Sequence, residues 1–134
     1  MNIESTKTQI SYNQKDVYNY LMDLNNVEHL LPEGKFTEWK GEYDSCSFKM
    51  QGFSLTLNKD TSEPHNEIKL VSGADSPIDF DLNIYISEVS EKESEAFLIC
   101  EARVNSFLKM MIEKPLTSLF NHMSDKLSRV DISK

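Results

Sequence analysis

The sequence predicts an α+β protein in which a curved antiparallel sheet of seven strands wraps around one long C-terminal helix, with two short helices between the first and second strands. Three observations predict it. From Lys35 to Arg103 apolar and polar residues alternate in one segment after another, as half-buried strands require. Only turns separate those segments, so neighbours pair as hairpins and run antiparallel. From Phe107 the apolar spacing lengthens to that of a helix and holds for about 24 residues, roughly 36 Å.

The elements follow in order. Ile3 to Tyr12 (IESTKTQISY) is rich in Ser, Thr and Ile with no helical period, and reads as a strand. Asn13 then caps a short helix: Asp16 suits its first turn, and Val17, Tyr20, Leu21 and Leu24 fall at i, i+3, i+4 and i+7. This helix is expected to end at Asn25–Asn26. One more helical turn carries Val27, Leu30 and Leu31 and stops before Pro32, because a residue preceding proline resists the helical region. Strands follow over Phe36–Tyr43, over CSFKMQ with Cys46, Phe48 and Met50 on one face, and over FSLTLN with Phe53, Leu55 and Leu57; Gly52 joins the last two tightly. NEIKLVS offers Ile68 and Leu70. After the turn GADSP, the segment IDFDLNIYIS sets Ile78, Phe80, Leu82, Ile84 and Ile86 on one face against Asp79, Asp81, Asn83 and Tyr85 on the other. SEVSEKESE reads as a charged turn, and AFLICEARV as a last strand, apolar on both faces from Ala96 to Cys100.

Capped by Asn105 or Ser106, the final helix carries Leu108, Met111, Ile112, Leu116, Leu119, Phe120, Met123, Leu127 and Val130 over about half its circumference. An apolar face that wide calls for a sheet that curves around it. Pro115 interrupts the pattern, since proline removes a backbone N–H and displaces the carbonyl of Met111 four residues earlier. Two geometries satisfy it: a continuous helix kinked at Pro115, which is the expectation, or a first helix ending near Lys114 with Pro115 opening a second.

Composition narrows the function classes. A chain of 134 residues is expected to form one domain over 1–134, burying roughly 70% of its unfolded surface. Hydrophobic residues make up 39% and charged residues 27%, which suits a compact soluble protein. A net charge of −8, with Lys and Arg dispersed, disfavours nucleic acid and acidic bilayers as partners. The N-terminal MNIESTKTQIS lacks the basic and apolar regions of a signal peptide and no apolar run spans a membrane, so a cytoplasmic protein without stable membrane insertion is expected. Cys46 and Cys100 stand far apart, each in an apolar run, and read as buried reduced thiols.

Across essentially its whole length the chain resembles the START-like (SRPBCC) superfamily, with its polyketide cyclase/dehydrase-like and birch-allergen-like members. The likeness rests on the order of elements, on QKDVYNYLMDLNNVEHLLPE as the two-helix segment, on the strand meander and on the long last helix. The resemblance implies the helix-grip fold, with a cavity between sheet and helix that holds an apolar ligand in many members. Those members include lipid and sterol carriers, quinone-binding proteins, hormone receptors, aromatases, cyclases and a chaperone activator, so the fold constrains function weakly.

On that reading, Phe48, Met50, Leu55, Leu57, Phe80, Leu82, Ile84, Leu98 and Cys100 from the sheet and Leu108, Met111, Ile112, Leu119 and Phe120 from the helix line the cavity. A kink at Pro115 would leave space beneath the helix with the freed Met111 carbonyl as an acceptor, and Met110, Met111 and Met123 as adaptable walls. His29, His65 and His122 have no second histidine or carboxylate at ligand spacing, so neither a metal nor another cofactor is expected. Asp79 and Asp81 read as a solvated row, and Glu101 with Arg103 as a surface pair. No Ser, Cys or Lys sits in a recognisable nucleophile setting. The expectation is a non-enzymatic carrier or sensor binding a small apolar molecule such as a lipid, quinone or aromatic metabolite. Two alternatives remain open: a cyclase, aromatase or dehydratase using an inward Glu101 or a pocket-facing His29, and an interaction module or homodimer whose contact patch is Phe97–Cys100 with Trp39 and Tyr85.

Overall fold

The first strand breaks where a serine takes over the backbone pairing. In the computed structural model, which describes residues 1–74 and 76–133, β1 (Asn2–Glu4) and β2 (Thr8–Ile10) both pair with β8 (Glu93–Arg103). Four steps of chain from Glu4 to Thr8 answer three from Ile99 to Ala96, so one residue is extra. Ser5 fills the gap: its N–H donates to the Leu98 carbonyl and its Oγ accepts from the Leu98 N–H, each at 2.8 Å. This corrects the single strand expected over Ile3–Tyr12, and the sheet has eight strands where seven were expected.

Next come α1 (Gln14–Met22) and a 3₁₀ helix (Leu24–Leu30). Asn13 caps α1 by accepting from the Asp16 N–H at 2.8 Å. The helix ends at Met22, earlier than expected, because Asp23 turns extended and accepts from the Asn25 N–H at 3.0 Å to cap the 3₁₀ turn. The meander runs through β3 (Thr37–Gly41), β4 (Ser45–Met50), β5 (Phe53–Glu63), β6 (Glu67–Ser72) and β7 (Asp79–Ser90) to β8, all antiparallel, in the order β1-β8-β7-β6-β5-β4-β3. Gln51 and Gly52, with φ of 51° and 82°, form the tight turn between β4 and β5. Asp75, part of the expected GADSP turn, lies outside the described residues.

Register places the apolar sets face to face. Phe48 opposes Leu55, Leu70 opposes Leu82, Ile84 opposes Leu98 and Leu82 opposes Cys100, so these inward positions meet one another across the ladders. β7 and β8 run on to a two-residue tip at Glu91–Lys92, where a longer charged turn was expected. Backbone pairing at an exposed hairpin end does not need apolar side chains. Irregularities in β3, β5 and the β7–β8 tip bend the sheet.

The long helix α2 (Ser106–Leu127) is continuous through Pro115, so the two-helix alternative is excluded. Asn105 caps it, accepting from the Leu108 N–H at 2.8 Å. Ile112, Leu116, Leu119, Phe120, Met123 and Leu127 are buried against the sheet. The stretch before them is not: Phe107, Met110 and Met111 are 73%, 83% and 51% exposed and Leu108 is half-buried, because the sheet reaches the helix only from Ile112 onward. The break in the first strand also anchors α2. Thr6 donates its N–H to Asn121 Oδ1 at 2.9 Å and accepts from Ser124 Oγ at 2.6 Å.

Candidate ligand site between the sheet and the long helix

Three phenylalanines fill most of the space that the curved sheet leaves beneath α2. Phe48 (β4), Leu55 and Leu57 (β5), Phe80 (β7) and Leu116, Leu119, Phe120 and Met123 (α2) enclose a void of about 10 Å³. That is room for about one water molecule, and eight apolar side chains give a water nothing to bond. The interior is closed and dry in this conformation.

Beside it lies a groove of about 160 Å³ lined by Pro32, Lys35, Met50, Gln51, Pro115, Ser118, Leu119 and His122. Three elements build it. The turn after the 3₁₀ helix carries Pro32 and Lys35, closed by the Lys35 N–H on the Pro32 carbonyl at 3.2 Å with Gly34 at a φ of 74°. The β4–β5 turn supplies Met50 and Gln51, and the middle of α2 supplies the rest. Leu119 lines both the groove and the void. His122 Nε2 is shielded from solvent with no hydrogen-bond partner among the described residues.

Of the fourteen wall residues expected from the sequence, Phe48, Leu55, Leu57, Phe80, Leu119 and Phe120 surround the void, and Met50 and Leu119 line the groove. Leu82, Ile84, Leu98, Cys100 and Ile112 are buried in the packed core without facing either space. Leu108 is only partly buried, and Met111 is corrected to an exposed position on the overhanging first turns of α2. Pro32, Lys35, Gln51, Ser118 and His122 were missed. They come from a turn, a hairpin tip and the edge of the helical stripe, and only the folded sheet brings these together.

Elsewhere Asn83 Oδ1 is also buried without a partner among the described residues, while the charged groups pair at the surface. Arg103 pairs with Asp79 at 2.8 Å and with Asp81 at 3.1 Å, which corrects its expected partnership with Glu101: Asp79 stands directly opposite Arg103 in the ladder, and Glu101 is exposed. Hydrogen bonding to Arg103 holds the Asp79 carboxyl below the usual carboxylate range. Burial pushes the thiols of Cys46 and Cys100 up to about 12, so both are neutral at pH 7 and poor nucleophiles. His65 packs edge-on against Tyr18, with ring centroids 5.4 Å apart. His29 is exposed and lines a shallow cleft of about 520 Å³ with Tyr20, Glu28, Lys126 and Arg129. A second depression of about 650 Å³, near α1, shares Tyr20 and Asn26 with it; the first is lined by charges of both signs, the second by Asp16 and Asp23 without a basic residue. Among the described residues no group of His, Cys, Asp and Glu could hold a metal, and no helix is long and apolar enough to cross a membrane.

No protein-family model matches the sequence, and no curated protein matches it. Solved structures do. A norcoclaurine synthase point mutant from Thalictrum flavum, bound to a transition-state analogue, superposes with a TM-score of 0.71 at 12% identity over 96% of this chain and 92% of that one. A conserved protein from Geobacillus kaustophilus gives 0.71 at 13% identity over 99% and 95%. The di-domain ARO/CYC protein BexL gives 0.65 at 11% identity, covering 96% of this chain and 45% of that one. The chain therefore has the START-like (SRPBCC) fold.

Proposed function

We propose that the chain binds a small apolar molecule, such as a lipid, quinone or aromatic metabolite, which enters through the groove beside Pro115 and lodges between the sheet and α2. The observation that carries this reading is the position of Leu119, the one side chain shared by the solvent-facing groove and the apolar interior. Rotating it outward, with Met50 and Met123 repacking, joins the two spaces, and thioether side chains change shape at low cost. Affinity comes from apolar area removed from water, at roughly 25 cal/mol per Å² before the costs of ordering.

The rings that marked an interaction patch are satisfied within the fold. Trp39 stacks on Phe48 at 6.3 Å and Tyr85 on Phe97 at 5.2 Å, which favours the ligand reading over a docking face. The enzymatic alternative called for Glu101 or His29 inside the cavity, and both are exposed. Among the structural neighbours, the norcoclaurine synthase mutant is bound to a transition-state analogue, which supports a fold that accommodates small molecules.

Native mass spectrometry of protein gently purified from its own host tests the proposal. A stoichiometric apolar adduct is expected. In Ser118→Trp, which plugs the groove from an exposed position without touching the core, it should be lost while the circular dichroism spectrum is unchanged. An adduct that survives in Ser118→Trp, or an empty wild-type protein that takes up none of a panel of apolar compounds, would overturn it.

A further inference from the structure

The groove carries a charge pattern opposite to that of the chain. Acidic residues outnumber Lys and Arg by 22 to 14 overall, yet the groove is lined by one lysine, one histidine, a glutamine and a serine, with no aspartate or glutamate. Lys35, like most lysines of the chain, takes part in none of the ion pairs among the described residues, so no carboxylate of the chain already occupies its ammonium. Its place at the rim is fixed by the Pro32–Lys35 turn. His122 lines the same groove, and its Nε2, which has no hydrogen-bond partner among the described residues, is turned away from solvent and reaches the groove only when the ring rotates. Inward from these groups the lining turns apolar at Met50, Pro115 and Leu119.

Resting on the function proposed above, we infer that the molecule taken up is a carboxylate-bearing amphiphile, its head at Lys35 and His122 and its apolar body directed past Leu119. A carboxylate fits each feature. It neutralises the unpaired ammonium and accepts from Ser118, Gln51 and, where Nε2 carries the proton, His122. A cationic head would meet Lys35 with no carboxylate in the lining to offset it. A neutral head would leave the ammonium without a counter-charge.

Calorimetric titration of the intact chain at pH 7.5 and low salt with decanoate, 1-decanol and decylamine separates these cases. Decanoate is expected to bind about ten-fold more tightly than decylamine, the advantage shrinking as salt screens the exposed lysine. Lys35→Gln should bring decanoate and decylamine within about two-fold of each other and leave decanol unchanged, with ligand-induced amide shifts at Gln51, Ser118 and His122 placing all three in the groove. The same Lys35 dependence is expected of 2-naphthoate, and the tighter of the two acids tells an aliphatic from an aromatic source. Decanol or decylamine binding as tightly as decanoate at those amides, or a preference that survives Lys35→Gln, overturns the carboxylate assignment and leaves the ligand reading standing. Binding by none of the four probes removes both.

Discussion

Met111 and Ile112 are neighbours in the chain and opposites in the structure, one half-exposed and the other sealed between helix and sheet. Ile112→Ala is expected to cost about 2–5 kcal/mol in urea unfolding, as the loss of a fully buried aliphatic side chain does, while Met111→Ala should stay within about 0.5 kcal/mol. Equal costs would mean that α2 is docked further along its length. The sequence could not separate these two residues, since both lie within the apolar half of the helix and only the sheet's reach decides which is covered. Inward strand positions such as Leu82 and Ile84 were legible because a period of two admits no intermediate face. A second residue-scale prediction concerns Asp79. Its folded carboxyl is held below the ordinary value of 3.8, so the Arg103 contact contributes stability above that value and loses it as pH falls through the depressed one. Carboxyl NMR should find the Asp79 midpoint below 3.8 in the wild type and higher in Arg103→Gln; identical midpoints would contradict the pairing.

Among the elements, α2 most tests reasoning from pattern. Its caps and its buried stripe were readable from Asn105 and from the spacing of Ile112, Leu116, Leu119 and Met123, and its continuity through Pro115 is the expected one of two geometries, although local chemistry alone also permits a restart. Proline within a helix costs up to about 3 kcal/mol relative to alanine. Pro115→Ala, which restores an N–H for the Met111 carbonyl, should therefore raise the melting temperature while weakening uptake at the groove that Pro115 lines. A variant that melts no later than the wild type would contradict that expectation. The split of the first strand was hidden for a different reason. Ser5 pairs with Leu98 through its own hydroxyl, and no periodicity distinguishes that serine from any other strand residue.

For the whole molecule, the antiparallel class followed from strands succeeding one another with nothing but turns between. The position of β1 against β8, with Asn2 facing Glu101, leaves no trace in local pattern. The groove belongs to this scale, because it exists only where the 3₁₀ helix, the β4–β5 tip and α2 converge. The same convergence seals the interior, and the two cysteines sit inside that seal, protonated and out of reach. The native chain is in consequence silent towards thiol reagents. A single cysteine placed at an exposed site such as Met110 or Gln51 would react alone, so a spin or fluorescent label can report on the mouth of the groove against a blank background, without first removing either native sulfur.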